Sequence, residues 1–330
     1  MNYKWFVGID VSKKTIDVTL FLKDQGVKSP HKQFCNDKKG FQAIIRWVEK
    51  QNVDLKTVLF CMEHTGVYSL DLALFFEQGH FVYSMVSPLH IKRSLGLVRG
   101  KNDKVDSFQI SKFCYLHRDE LFQTKLPLES IQLLKSLINE RRRLVNMQKS
   151  EKIVYSELRK INTCNSLKRI ETRIAMFSAD IKCIEQEIEK VINSEPSIRE
   201  NYRLIRSVIG IGLVNSVMFI VYTCNFQKFT DARKYACYGG VAPFENSSGT
   251  SIRGKTKVSH LANKRIKTNL SNAARSAIQN DPELRLYYDR KAKEGKAHGV
   301  IMNAVKFKLI TRVFAVVERR TPFVKLRQAG

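Results

Sequence analysis

The chain has 330 residues, 43% of them hydrophobic, which supports a sizeable core in two or three domains and excludes a disordered polymer. It carries 57 Lys+Arg against 31 Asp+Glu, a formal net charge of +26. Self-repulsion on that scale destabilises a compact chain unless a polyanion neutralises it, so DNA or RNA is the natural partner and an anionic membrane the lesser one. No apolar run reaches membrane-spanning length, and no signal peptide precedes the first strand-like segment. Seven dispersed cysteines without a Cys-x-x-Cys pair read as reduced cytosolic thiols, not disulfides or zinc ligands.

Residues 3–10, Tyr-Lys-Trp-Phe-Val-Gly-Ile-Asp, read as a buried strand ending in an acid, Asp10. Thr15–Leu22, rich in β-branched and apolar residues, reads as a second strand, and Lys32–Cys35 as a short third. Between Gly40 and Val53 the residues Phe41, Ile44, Ile45 and Val48 share one helical face. Thr57–Glu63 is again a buried strand ending in an acid. A helix over Ser69–Gln78, a strand over His80–Val86, a short helix over Pro88–Leu95 and a longer one over Asp103–His117 follow. Three strands, then alternating helix and strand, then a helix, is the order of a ribonuclease-H-like α/β domain.

In such a domain the first strand is central and its end faces the cleft, which predicts Asp10 beside Glu63. The last helix brings in Asp103 and Asp106, three residues apart and therefore on one face. Four converging carboxylates would require a divalent cation, and oxygen-only donors suit Mg²⁺ or Mn²⁺. Two such ions about 4 Å apart can clamp the entering and leaving oxygens of a phosphodiester. Lys92, Arg93, Arg99, Lys101 and Lys104 surround the last pair. Taken singly, each acid also fits a plain strand end or a helix start favoured by the helix dipole.

From Glu129 to Glu195 the pattern changes. Ile170, Ile174, Phe177, Ile181, Ile184, Ile188 and Val191 step by four and three, a coiled-coil seam. Leu137, Leu144, Met147, Val154, Leu158 and Ile161 keep the same step, broken by Arg141 and Glu151, before the loop 162–166. A helical pair within one chain and a contact between chains both fit. Further on, Gly210-Ile211-Gly212 lies between two helical patterns. It reads as a helix-hairpin-helix turn whose backbone N–H groups meet a phosphate, or as a plain helix break. Tyr238–Lys257 reads as a Gly/Ser/Thr-rich loop. From Asn246 to Asn280 there are seven basic residues, Arg253, Lys255, Lys257, Lys264, Arg265, Lys267 and Arg275, and no acid. A glycine-flanked serine in this stretch is a candidate nucleophile for a phosphate, or a turn residue. Gly299–Val317 is an apolar-faced helix that completes the last core.

Three short motifs carry a family resemblance: Gly8-Ile9-Asp10-Val11-Ser12-Lys13, Met62-Glu63-His64-Thr65-Gly66-Val67-Tyr68 and Asn102-Asp103-Lys104-Val105-Asp106. Further along come Gly210-Ile211-Gly212, Gly240-Val241-Ala242-Pro243, Ser248-Gly249 and Ile252-Arg253-Gly254. In this order the chain resembles the DEDD insertion-sequence transposases, the bridge-RNA-guided recombinases related to pilin-gene invertases. It departs from many of them at Ile209, His260 and Ala262.

The resemblance implies an α/β plus α protein in three parts. These are a RuvC-like, RNase-H-fold domain over 1–125, a coiled-coil region over 126–200 and a mainly helical transposase domain over 201–330. It implies that Asp10, Glu63, Asp103 and Asp106 bind Mg²⁺. It also implies that Ser248 attacks the DNA phosphate and holds a covalent phosphoserine link. The position before Gly249 favours Ser248 over Ser247. Gly210, Gly212, Arg253, Lys255 and Lys257 are candidates for nucleic-acid contact. Donor and target DNA, a bridge RNA and further copies of the chain, from dimer to tetramer, are the implied partners. The implied setting is a bacterial cytoplasm, at the nucleoid. A metal-dependent junction nuclease using only the four acids, and a basic nucleic-acid-binding protein with a relic catalytic fold, stay open beside the recombinase.

Overall fold

A computed structural model describes residues 3–64, 66, 68–96, 102–161, 164–248, 252–258 and 261–324. The side chains of Val27, Cys164, Glu245–Ser248 and Ile252–Lys257 lie outside that description, as do Arg99, Lys101, Thr65, Val67, Gly249 and His260 entirely. The chain divides into two compact units, residues 1–126 and 127–330.

The first unit is built on a mixed five-stranded sheet. Its strands are β1 (Trp5–Val11), β2 (Thr15–Leu20), β3 (His31–Cys35), β4 (Val58–Glu63) and β5 (Tyr83–Val86), in the order β3-β2-β1-β4-β5. Strands β1, β2 and β3 pair antiparallel, whereas β4 and β5 run parallel to β1. Alternation along the strands decides which residues face which layer. Val7, Ile9 and Val11 of β1 pack with Val58, Phe60 and Met62 of β4 beneath α1 (Lys38–Glu49) and α2 (Leu70–Gln78). Phe6 of β1 packs with Leu59 and Cys61 of β4 on the other side, against Ile110 and Phe113 of α4 (Asp103–Leu116). A short helix, α3 (Pro88–Ser94), packs beside α4.

Local chemistry sets these elements. Asp37 caps α1 by accepting from the Gly40 amide at 2.7 Å, and Phe41, Ile44 and Val48 then form its buried stripe. The segment after α4 is strapped to the edge of the sheet. Thr124 N–H donates to the Tyr83 carbonyl, its hydroxyl accepts from Met85 N–H, and Leu126 N–H donates to the Glu77 carboxylate.

The second unit opens with two long helices, α5 (Glu129–Leu158) and α6 (Cys164–Ser194). They are antiparallel: Arg141 pairs with Glu185, Gln148 with Ser178, Glu151 with Arg173 and Tyr155 with Glu171, so rising numbers on one helix meet falling numbers on the other. The helical pair therefore forms within one chain. Its base, with Leu134, Ile138, Ile184 and Ile188, belongs to one large core. That core also holds α7 (Pro196–Ser207), α8 (Leu213–Thr223), α9 (Ala232–Tyr238), α10 (Lys264–Asn280), α11 (Pro282–Lys293) and α12 (His298–Glu318).

The stretch Tyr238–Lys257, expected as a loop, is instead an antiparallel hairpin of β6 (Pro243–Ser248) and β7 (Ile252–Val258), with an irregularity in register between Phe244 and Asn246. Pro243–Ser248 carries almost no apolar pattern, so its strand character comes from pairing with β7 and not from its own sequence. Among the described residues no helix is long and apolar enough to cross a membrane.

Candidate functional site

One glycine positions the acids. A Cβ on Gly8 would lie 2.2 Å from both the Ser107 carbonyl oxygen and the Ser111 amide nitrogen, so the backbone of α4 rests directly on β1. The helix meets it with small, fully buried residues, Ser107 and Ser111. Ser107 also shares a 2.8 Å hydrogen bond with the Thr19 hydroxyl of β2. Asp10 stands two residues beyond Gly8 and thus on the same side of the strand. Asn102 caps α4 by accepting from Val105 N–H at 2.8 Å, which sets Asp103 and Asp106 in the first turn. As a result, carboxylate oxygens of Asp10, Asp103 and Asp106 all lie within 4.8 Å of one another. Glu63 ends β4, the parallel neighbour of β1, and is half-buried.

The charges register in Asp10. Burial first, then the carboxylates of Asp106, Asp103, Glu63 and Asp17, push its carboxyl up from 3.8 to about 6. Like charges this close are relieved by a proton or a cation. The donors are all hard oxygens, with no His or Cys in the group, which suits a divalent cation.

Sequence reasoning missed Asp17. It pairs directly with Asp10 across the β1–β2 ladder and is buried. Both its oxygens are engaged from β3, by His31 Nε2 at 2.8 Å and Gln33 Nε2 at 2.9 Å. An acid in the middle of the apolar run Thr15–Leu20 was the available signal. Asn36 was missed too. Its amide donates to the Ser12 and Tyr68 carbonyls, tying the turn after β1 to the loop that follows Glu63.

The other predicted residues lie in the second unit. Ser248 ends β6 opposite Ile252, and Ser247 stands opposite Arg253. Arg253, Lys255 and Lys257 occupy alternate positions of β7. Gly210 has φ +89°, and a Cβ there would lie 2.6–2.8 Å from Ala273 and Ala277, so it seats the α7–α8 turn on α10. Gly212 begins α8 with no side-chain cap, and Arg206 holds the turn through the Ile211 carbonyl at 3.2 Å. Gly240, at φ +65°, faces Ala262, one of the departures noted above.

With that geometry in hand, the similarities are informative. Residues 7–158, which include all four acids, match the family profile described as "Transposase", of the DEDD type of IS110. Residues 202–289, which include Ser248, match "Transposase IS116/IS110/IS902 family". Over 328 residues, 98% of each chain, the sequence is 25% identical to the pilin gene-inverting protein of Moraxella bovis. The Moraxella lacunata protein of the same name is similar to the same extent. A 43.6 kDa protein of insertion element IS110 from Streptomyces coelicolor is 27% identical over 149 residues, 45% of this chain and 36% of that protein.

Proposed function

The chain belongs to the IS110-type transposase family, a recombinase of insertion elements, and from that premise we propose that it cuts and rejoins DNA through a covalent serine link. The observation that carries the reading is the meeting of Asp10, Asp103 and Asp106 in a region matched to a DNA-rearranging family. We read the first unit, with its order β3-β2-β1-β4-β5, as RNase-H-like.

Asp10, Asp103 and Asp106, with Glu63, would hold Mg²⁺. The ion would polarise a phosphate oxygen and lower the barrier for displacement at phosphorus. Ser248 is the nucleophile in this reading. Its Oγ–P bond forms as one P–O bond of the strand breaks, the hydroxyl proton leaves the serine, and the departing sugar oxygen takes up a proton. One phosphoester replaces another, so reverse attack by a sugar hydroxyl reseals the strand. Arg253, Lys255 and Lys257 offset phosphate charge, and Gly210 and Gly212 present backbone N–H groups to the DNA. A bridge RNA would supply sequence choice by base pairing, with the protein gripping backbones by charge and shape. The active form is an oligomer, and the enzyme works on cytoplasmic DNA at the nucleoid.

A covalent-trapping assay tests this. The protein is combined with RNA transcribed from its flanking DNA, labelled donor and target DNA, and Mg²⁺, then run on denaturing gels. The expected adduct is present in the parent and in Ser247→Ala, and absent in Ser248→Ala and Asp103→Ala. Cleavage by Ser248→Ala without any adduct would instead make the protein a metal-dependent nuclease. Binding without cleavage in every sample would make it a binding protein.

A further inference from the structure

Rows of side chains cross β1, β2 and β3 on the face that meets α4. One row is Gly8, Thr19 and His31, and α4 rests on it at Gly8 and through the Thr19–Ser107 hydrogen bond. The next row on that face is Asp10, Asp17 and Gln33. Residues directly opposite in an antiparallel ladder have Cβ atoms about 4.5–5.5 Å apart. Strand register therefore sets the side chain of Asp17 against that of Asp10.

Asp17 is only 4% exposed. Each of its oxygens takes a donor from β3, one from His31 Nε2 and one from Gln33 Nε2. A carboxylate only accepts, so the imidazole carries a proton on Nε2. Held at both oxygens, the carboxylate does not swing out to water. It also stands outside the group of Asp10, Asp103 and Asp106, whose oxygens meet within 4.8 Å. For the fold alone an acid is a poor choice here. A buried charge directly opposite a like charge is destabilising. A neutral amide would make the same two bonds, accepting from His31 and donating to Gln33 once the Gln33 amide turns over. One row along, β2 uses a neutral hydroxyl, that of Thr19, on the same face. What the acid adds is negative charge beside a group that already calls for a cation.

We propose that Asp17 is a further residue of the cation site: a fixed charge that raises affinity for a divalent ion without ligating it, held in place by His31 and Gln33. The assignment rests on the cation reading of Asp10, Asp103 and Asp106 above. Attraction between a carboxylate and a doubly charged ion across one row of side chains is strong, because the space between them is protein and not bulk water.

The test uses the full-length protein. Mn²⁺ binding is followed by the EPR signal of the free ion, and thermal unfolding is measured in EDTA. Asp17→Asn removes the charge and keeps the hydrogen bonds. It raises the Kd for Mn²⁺ about 10-fold, the lower end for groups that stand behind metal ligands, and does not lower the Tm in EDTA. Gln33 is exposed on β3, the edge strand of the sheet. Gln33→Lys leaves Asp17 untouched and sets an ammonium against it, so it also weakens Mn²⁺ binding. This variant decides the matter if Asp17→Asn fails to fold. A purely structural Asp17 gives the reverse, a lower Tm with an unchanged Kd, and that result overturns the assignment. A parent that binds Mn²⁺ no more tightly than either variant overturns the assignment alone. A parent that binds no Mn²⁺ overturns the cation reading itself, and the assignment with it.

Discussion

At Asp10, a proton and a cation compete for one place. Its carboxyl titrates near 6 in the fold against 3.8 ordinarily, so between those values the folded chain binds more protons than the unfolded one. Stability from this group is therefore lost as pH rises from 3.8 to about 6 and stays lost above. In EDTA, the Tm advantage of Asp10→Asn over the parent grows through that window and is flat beyond it. Saturating Mg²⁺ removes the advantage by stabilising the parent alone. Gly8 offers a second test. Gly8→Ala drives a methyl into the Ser107 and Ser111 backbone, which cannot swing aside. Overpacking of this kind costs about 1–3 kcal/mol, read as a lower urea midpoint. Metal affinity falls with it, since α4 carries Asp103 and Asp106.

Among the elements, α5 and α6 differ along their length. The base is buried, but Met147 and Val154, seven residues apart on α5, are 51% and 40% exposed, and Ile161, in the turn just past its end, is 68% exposed. A heptad stripe left open fits a partner helix. Met147→Glu with Val154→Glu is expected to leave helicity intact and lower the molar mass in sedimentation. The helical pair itself was legible, because its four-three step needs only local sequence. Strands β1 and β4 were legible because each is a buried apolar run carrying an acid at or next to its end, and α4 because Asn102 and two acids mark its start. The role of Asp17 was not: its partners lie 14 and 16 residues away, and only strand register brings them together. The hairpin β6–β7 was half-legible. The alternation Arg253, Lys255, Lys257 is a strand signal in β7, but Pro243–Ser248 reads as turn chemistry until a partner is known.

For the molecule as a whole, the net charge of +26 and the acid group make opposite demands. Broad positive charge draws any polyanion, so affinity alone says little about where chemistry occurs. In the proposed mechanism the place of reaction is set by the acids and by Ser248, which belong to different units. Each unit has a core of its own, and the strap from Thr124 to Leu126 keeps the first one closed up to its last residue. A gene divided between Leu126 and Pro127 should then yield two polypeptides that each unfold cooperatively in calorimetry. Mixed together, the halves would regain adduct formation. For a genetic element under pressure to change hosts and targets, such a seam is a place to exchange parts: a new C-terminal half could be grafted to an old N-terminal half without redesigning either interior.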